Sequence, residues 1–291
     1  MPEGDVVWRA ARRLSDVLTR RCLLTADLRH PRWATVDLAG RTVTSVVAHG
    51  KHLLVRTTPT GEGPNDSTPT HEGPDSTAPT GDGRGLTLHS HLRMDGGWWV
   101  YGPGERWRGP EHEIRVVLGT GTATAVGYRL HDLAVVPTSE EHQLVGHLGP
   151  DLLGPDWDLD EAVRRLRVQP ERPIGTALLD QRNLAGIGNL YRAEVLFLRG
   201  VSPWTPTGAV PDLPGLVSLA KRLLTANRDR TQQSTTGSLR RGEQQWVYLR
   251  TGQPCRRCGA PVRAGRLGEG VDGVDAERTV YWCVRCQPEG P

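Results

Sequence analysis

The chain has 291 residues, enough for two domains of ordinary size and a small appended module. Hydrophobic residues make up 36% and charged residues 24%, and no apolar run approaches the roughly 20 residues that cross a bilayer, which excludes a membrane-spanning helix. The net charge of +3 permits nucleic-acid binding without indicating it. The first residues, MPEGDVVWRAARRL, carry acids and arginines where a secretory signal needs an apolar stretch, so we expect a cytoplasmic protein.

The first half of the chain predicts one helix followed by β-strands. Asp5 suits a helix start, and residues 1–4 precede it as a short arm. Apolar residues then recur at helical spacing, namely Val7, Ala10, Ala11, Leu14 and Leu18. Residues 41–56 and 86–136 read as β-strands separated by glycine-containing turns. The pattern indicates an N-terminal β-sandwich domain with a flanking helix over residues 1–148.

Residues 58–85 interrupt this domain with a biased composition. The motif Pro-Thr-x-acid-Gly starts at positions 59, 69 and 79, a ten-residue repeat without apolar anchors. Such a segment is predicted to be disordered. A loop expansion between two strands is a better interpretation than a binding tail, so no chemistry is assigned to it.

Helical periodicity begins after a glycine- and proline-rich hinge at 149–155. The predicted helices cover residues 159–167, 174–181, 189–199 and 214–227, within a second domain at 149–250. The stretch LLDQRNLAGIGNLYRAEVLF has a turn with Gly186 and Gly188 before a helix that Asn189 opens. Backbone amides at a helix start attract phosphate, and Asn189 adds a side-chain donor. A plain helix hairpin with Asn189 as N-cap is the alternative.

Four cysteines form two Cys-x-x-Cys pairs in a module at 251–287. Cys255 and Cys258 precede Cys283 and Cys286 by a gap of 24 residues, a pattern that supplies tetrahedral thiolates to one structural zinc ion per chain. Two disulfides are the alternative, which the reducing cytoplasm disfavours. The module also carries six arginines that suit phosphate contacts, although a zinc ribbon that touches only protein stays open. They are Arg256, Arg257, Arg263, Arg266, Arg278 and Arg285.

Lysine is rare in this chain: of the 36 lysine and arginine residues, only Lys51 and Lys221 are lysine. Arginine cannot be deprotonated in a protein, so a position that needs proton transfer could not use the residue that this sequence otherwise favours. Lys51, which follows Gly50 in a predicted hairpin turn, is therefore a candidate for such a role.

Five ordered motifs together resemble the Fpg/Nei family of bacterial DNA glycosylases, on its endonuclease VIII side. They are MPEG, GKHLL around Lys51, SHLRMDG at 90–96, LDQRNLAGIGNLYRAE, and CRRC with RTVYWCVRCQ. The resemblance covers nearly the whole length. It implies an α+β multidomain protein with an N-terminal β-sandwich, a helix-two-turn-helix domain and a C-terminal zinc-finger β-hairpin. It also implies that DNA binds in the cleft between the domains.

The resemblance also implies the catalytic residues. Removal of Met1 leaves Pro2 as a secondary amine, of which on the order of a tenth is neutral at pH 7. That fraction can attack the sugar carbon that bears the damaged base, and the resulting iminium acidifies the neighbouring sugar proton, so that elimination cuts the strand. Glu3 can move protons to and from the sugar, and Lys51 matches the family's catalytic lysine.

DNA contacts follow from the same motifs. Asn189 and Arg278 match the family's phosphate-binding residues, and Met94 is the candidate wedge into the duplex. The chain departs from the family at Val6, where a glutamate is common, with Asp5 as the candidate substitute. It also lacks the Arg/Phe wedge pair and part of the lesion-covering loop of the guanine-oxidation branch, which favours oxidised pyrimidines as substrates.

The expected protein is thus a monomeric, nucleoid-associated base excision repair enzyme that acts on damaged double-stranded DNA. A noncatalytic zinc-finger protein that binds DNA damage is the alternative from another class, and the presence of Pro2, Glu3 and Lys51 argues against it. A hydrolytic nuclease would need clustered acids for divalent metals, and the sequence has no recognisable cluster.

Overall fold

The chain divides into two compact units. We describe residues 2–60, 85–268 and 277–288 of a computed structural model. The first unit comprises Met1–Pro2 and Val6–His147, and the second comprises Glu3–Asp5 and Leu148–Pro291. The residue next to the N-terminal proline therefore belongs to the second unit.

The first unit is a β-sandwich of two four-stranded antiparallel sheets. Their orders are β1-β6-β7-β5 and β2-β3-β4-β8. The strands are β1 Thr25–Leu28, β2 Arg41–His49, β3 His52–Pro59, β4 Leu86–His91, β5 Gly97–Tyr101, β6 Ile114–Gly119, β7 Thr124–Tyr128 and β8 Asp132–Pro137. The helices of this unit are α1 Gly4–Leu18 and the short α2 His142–Val145.

Helix α1 packs on the sandwich core through one face. Val7, Ala11, Leu14 and Leu18 are at most 3% exposed and recur at the spacing of helical turns. They share one apolar cluster with valines and leucines of both sheets. Burial of this face explains why an amphipathic helix forms at the predicted place.

Two hairpin connections bear on the predictions. Strands β2 and β3 are joined by the two-residue turn Gly50–Lys51, in which Gly50 has a φ of +57° that suits glycine. Strand β3 continues to Pro59, two residues into the segment predicted to be disordered. Thr57 pairs with Leu86, so the sheet resumes on the far side of that segment. Residues 60 and 85 at the ends of that segment are also described, and residues 61–84 lie outside the described residues.

The second unit is helical before its C-terminal hairpin. Its helices are α3 Leu159–Leu166, α4 Ile174–Ala177, α5 Asn189–Arg199 and α6 Leu213–Asn227. The side chains of Asp158 and Asp212 accept N–H hydrogen bonds from the first turns of α3 and α6, as N-cap residues do. Gly200 ends α5 with a φ of +68°.

Helix α4 is shorter than the period at 174–181 predicts. It stops at Ala177, whose carbonyl accepts a hydrogen bond of 3.0 Å from the side-chain amide of Asn183. Nearby, the Asp180 carboxylate accepts hydrogen bonds from Arg172 and Arg182. Side-chain hydrogen bonds thus organise the turn after α4 where the apolar pattern alone suggests more helix.

The C-terminal module contains the antiparallel hairpin of β9 Arg263–Leu267 and β10 Arg278–Trp282. A small apolar cluster that includes Phe197, Val262 and Cys283 connects the module to α5. Among the described residues, every helix is too short or too polar to span a bilayer.

Candidate active site and nucleic-acid interface

Glu3 is held at the start of helix α5. Its carboxylate accepts hydrogen bonds from the backbone N–H of Gly188 (2.8 Å) and of Leu190 (2.7 Å), and the residue is fully buried. The N–H of Gly4 donates to the carbonyl of Gly186 at 2.8 Å. Helix N-termini favour negative charge, so this position stabilises the Glu3 carboxylate. These amides, which the sequence suggests for phosphate, are occupied by Glu3.

Two positions of this turn require glycine, each for a different physical reason. Gly186 has a φ of +101°, which few other residues adopt. A Cβ at Gly188 would lie 2.5 Å from the Glu3 carboxyl carbon, so a side chain there would displace Glu3. The glycine-punctuated turn therefore serves to admit the N-terminal arm.

Asp5 is a second buried carboxylate in the same unit. It accepts a hydrogen bond from the Tyr191 hydroxyl (2.9 Å), and the Gln233 side-chain amide lies 2.9 Å from both carboxylate oxygens. Burial raises the pKa of Tyr191, and the charges of Asp5 and Glu3 raise it further. Tyr191 thus contacts both carboxylates, because its backbone N–H also lies 3.5 Å from a Glu3 oxygen.

A buried arginine links the start of helix α5 to strand β10. The Arg192 guanidinium, in a residue 1% exposed, donates to the Asn189 side-chain oxygen and to the Thr279 carbonyl. Thr279 follows Arg278 on β10, where Arg278 is exposed. Burial lowers the pKa of Arg192 to about 10, so it stays charged at neutral pH. Arg192 therefore connects Asn189 at the start of α5 to the backbone of β10 beside Arg278, with the Asn189 side-chain oxygen as acceptor.

The remaining candidates belong to the first unit. Pro2 and Lys51 are each partly buried, and Lys51 lies in the β2–β3 turn as predicted. Met94 is 68% exposed in the turn after β4. Its neighbour Arg93 has a φ of +49°.

Histidines surround the strand that follows Lys51. The Nδ1 atom of His52 lies 2.8 Å from Nε2 of His89, and the His52 ring centroid is 5.0 Å from that of His91 and 6.3 Å from that of His147. Burial lowers the pKa of His52 to about 2, helped by the neighbouring histidines. Burial and the charges of Arg93 and Lys51 lower that of His91 to about 4. Burial also lowers the pKa of His89, so His52, His89 and His91 are neutral at pH 7.

The four paired cysteines converge as predicted. Their sulfur atoms all lie within 4.8 Å of one another. The Sγ atoms of Cys255 and Cys286 are 3.9 Å apart and those of Cys258 and Cys283 are 3.4 Å apart, too far for a disulfide bond of about 2.05 Å. The four thiols are free and could hold one metal ion.

Sequence reasoning missed Arg192, Gln233 and the histidine cluster. The sequence did contain a signal for the histidines, because His89 and His91 are two residues apart and therefore lie on the same face of a strand. Arg192 stands inside the motif NLYRAE, three residues after Asn189, where a helix places side chains together. Gln233 carries no comparable local signal.

Comparison with known proteins identifies both units. Residues 1–133 match the formamidopyrimidine-DNA glycosylase N-terminal domain, and residues 148–213 match the formamidopyrimidine-DNA glycosylase H2TH domain. A probable endonuclease 8 2 of Streptomyces coelicolor is 53% identical over 290 residues, covering 99% of this chain and 94% of that protein. The DNA-(apurinic or apyrimidinic site) lyase Nei2 of Mycolicibacterium smegmatis is 39% identical, covering 99% of both chains.

A solved structure agrees at the level of the fold. The Lactococcus lactis Fpg in complex with abasic-site DNA matches with a TM-score of 0.73 at 20% identity, covering 99% of this chain and all of that one. The predicted fold class is confirmed, and so is the resemblance. The chain belongs to the family of the formamidopyrimidine-DNA glycosylases and endonucleases 8.

Proposed function

We propose that this chain is a bifunctional DNA glycosylase and AP lyase of base excision repair, which removes oxidised bases through a Schiff base on Pro2. The observation that carries the proposal is the position of Glu3. Glu3, which follows Pro2 in the chain, is buried and held by the backbone N–H groups of Gly188 and Leu190. The amine of Pro2 and the Glu3 carboxylate therefore belong to adjacent residues, one of which is fixed in place. Full-length relatives named endonuclease 8 2 and AP lyase Nei2 support the same activity.

The chemistry requires a free amine at residue 2. The neutral Pro2 nitrogen attacks the sugar carbon C1′, the C1′–base bond breaks, and the base leaves with the bonding electrons. The proline nitrogen then loses its proton, the C1′–O4′ bond breaks as O4′ takes up a proton, and the nitrogen lone pair forms an iminium with C1′. The iminium withdraws electrons and makes the adjacent C2′ proton acidic. Loss of that proton expels the 3′ phosphate and cuts the strand. Glu3 exchanges protons with the sugar, and Lys51 serves the leaving group.

DNA binding is assigned to groups in both units. Asn189 and Arg278 contact phosphates of damaged double-stranded DNA, and Met94 enters the base stack. Arg192 supports both positions, because it donates to the Asn189 side chain and to the carbonyl of Thr279, the residue after Arg278. We expect the enzyme to act as a monomer at the nucleoid. Lesions of the oxidised pyrimidine class are favoured over 8-oxoguanine, because the chain lacks the Arg/Phe pair.

The cysteine cluster fits one structural zinc ion. Tetrahedral zinc with Zn–S bonds of about 2.3 Å places its sulfurs about 3.8 Å apart, which agrees with the sulfur separations of 3.4 and 3.9 Å. Four thiolates leave no open position for water, so zinc would organise the hairpin that carries Arg278 and take no part in the reaction.

Trapping with borohydride tests the nucleophile. Borohydride reduces the iminium to a stable amine, so protein incubated with an abasic duplex should yield a covalent adduct on the peptide that starts at Pro2. A DNA remnant on Lys51 or Lys221 would refute the assignment. An uncleavable tag before Pro2 should abolish both trapping and strand cleavage. Tight binding of lesion DNA without any trapping would instead favour the noncatalytic damage-binding protein.

Substrate choice and the role of Glu3 need separate measurements. Single-turnover rates should be higher for thymine glycol than for 8-oxoguanine opposite cytosine, and the reverse order would overturn the pyrimidine preference. Glu3→Gln should lose base excision while it still cleaves a ready-made abasic site slowly, since the amide keeps the shape but cannot transfer the proton.

A further inference from the structure

The sheet that contains β5 and β7 carries a second apolar cluster on its outer face. Side chains alternate between the two faces of a strand, so Trp98 packs in the sandwich core while Trp99 and Tyr101 face the other way. Tyr128 of β7 joins Tyr101 in this outer cluster. The segment after β5 folds back over the same face, because the backbone N–H of Arg108 donates to the Tyr101 hydroxyl at 3.2 Å.

A small cavity opens between these aromatic rings and the segment that crosses them. Its volume is about 170 Å³, and its lining includes Trp99, Tyr101, Tyr128, Arg108 and Arg129. Pockets for drug-sized ligands measure about 300–1,000 Å³, so this cavity suits a single planar ring. All of its lining belongs to the first unit.

Trp99 is exposed and yet held in place. Its exposed fraction is 41%, although it lies in the middle of a strand. The indole ring lies so close to Gly97 that an added Cβ there would be 2.6 Å from it. Tyr128 meets the ring edge-on, with centroids 5.3 Å apart and an interplanar angle of 89°. A stacking surface that is already fixed loses little conformational entropy when a ligand binds.

The lining of the cavity also carries a net positive charge. Arg108 and Arg129 supply two positive charges and Glu113 one negative charge, which leaves +1. The Arg129 guanidinium donates to the Glu113 carboxylate at 2.7 Å, so the exposed Arg108 provides the excess. An aromatic ring beside an arginine suits an unpaired nucleotide, whose base stacks while its phosphate accepts from the guanidinium. A proline-rich peptide also fits aromatic grooves, but its rings give Arg108 no anion.

We propose that this cavity is a second nucleic-acid site, which binds one unpaired base of a DNA strand through Trp99 and the adjacent phosphate through Arg108. Stacking tolerates every base, because each has a flat π-face. The site therefore takes undamaged single-stranded DNA, whereas the proposed glycosylase chemistry acts on a damaged base. The inference thus goes beyond the proposed function.

Titration of the full chain with two single-stranded probes tests the role of Trp99. One probe is a short oligothymidine, and the other is a chain of the same length with abasic tetrahydrofuran units in place of the nucleosides. Trp99→Ala should weaken binding of the oligothymidine by about tenfold, the effect of losing one stacked base, and change binding of the abasic chain by less than about twofold. Trp99→Phe keeps an aromatic ring and should weaken oligothymidine binding by less than about threefold.

The phosphate contact has its own variant and a matched control. Arg108→Ala should weaken binding of both probes by about threefold, since both carry phosphates. Arg106→Ala removes an exposed arginine two residues earlier in the same segment and should change neither affinity by more than about twofold.

NMR spectroscopy supplies a readout that does not depend on affinity. The indole N–H resonance of Trp99, identified by its absence in Trp99→Phe, should shift when oligothymidine is added. The resonance of Trp33, whose indole N–H donates to the Leu133 carbonyl in the same unit, should stay in place.

Two results would overturn the inference. One is an affinity for oligothymidine that Trp99→Ala leaves unchanged. The other is a Trp99 resonance that shifts with a proline-rich peptide and not with oligothymidine, which would assign the cavity to a protein partner. Failure of the proposed glycosylase function is distinguishable, because it would abolish borohydride trapping and leave these titrations as they are.

Discussion

The two units bury titratable groups in opposite ways. In the first unit, His52 packs against His89 and His91, and all three stay neutral because burial opposes protonation, with repulsion from neighbouring histidines adding to it at His52 and His91. In the second unit, the Glu194 carboxyl group and the Arg192 guanidinium are buried among hydrogen-bond partners. Burial raises the pKa of Glu194, and the hydrogen bonds that it accepts offset part of that rise. A lower pH would protonate and destabilise the buried histidines. Loss of a hydrogen-bond partner would instead leave the buried Glu194 or Arg192 side chain unsatisfied.

The largest effect should come from Glu194. Its carboxylate accepts hydrogen bonds from the backbone N–H of Trp246 (2.7 Å), Val247 (2.8 Å) and Tyr248 (2.9 Å), and from the Thr235 hydroxyl. Glu194→Ala leaves these donors without an acceptor and should lower the free energy of unfolding by about 3–5 kcal/mol. Urea unfolding of the purified variant measures the loss.

Two further variants sharpen this test. Glu194→Gln keeps one acceptor oxygen and should cost less, about 1–3 kcal/mol. The exposed Glu171→Ala should change stability by less than about 0.5 kcal/mol. Equal losses for Glu194→Ala and Glu171→Ala would show that the buried carboxylate does not organise the segment that contains Trp246.

Acid should destabilise the first unit through its histidines. The pKa of His52 is about 2 and that of His91 about 4 in the folded chain, against about 6.5 when unfolded. Below pH 6.5 the unfolded chain binds protons that the folded chain does not, so the free energy of unfolding decreases as the pH is lowered. At pH 5 the loss is at most about 2 kcal/mol for each histidine.

Urea unfolding at pH 7 and pH 5 checks this sign, with fluorescence of the nine tryptophans as the signal. His52→Asn, whose amide can pair with His89, should reduce the pH dependence. A wild-type protein that gains stability between pH 7 and pH 5 would contradict neutral burial of the cluster.

The cysteine cluster needs a cation, because four thiolates repel one another when they share a small volume. Cys283→Ser should lower the zinc content below one ion per chain and weaken binding to lesion DNA by about tenfold, since the hairpin with Arg278 loses its anchor. Cys22→Ser, at a free cysteine outside the cluster, is the matched control and should keep both. Reduced, freshly purified protein without zinc would remove the metal from the proposal.

The smallest effect should follow removal of an exposed charge. Arg278→Ala should weaken affinity for lesion DNA by about threefold to tenfold with little change in stability, because it removes a phosphate contact and no core packing. Arg164→Ala, an exposed arginine on α3, should change the affinity by less than twofold. Equal affinities for Arg278→Ala and the wild type would exclude Arg278 from the interface.

Local patterns in the sequence predicted the elements well, and long-range partners escaped them. Helix α5 begins at Asn189 and the hairpin turn holds Lys51, because periodicity and glycine placement are local properties. The contacts of Glu3 and Asp5 span 185 and 228 residues, as in the pairs Glu3–Gly188 and Asp5–Gln233. No periodicity encodes such a pair, since it exists only once the chain has folded.

The pairing of Thr57 with Leu86 offers a practical entry point for protein engineering. The two residues sit opposite each other in adjacent antiparallel strands, so the register of the sheet is fixed on either side of residues 61–84. A fluorescent reporter or a purification handle inserted there would leave the amine of Pro2 unblocked, which an N-terminal fusion cannot do.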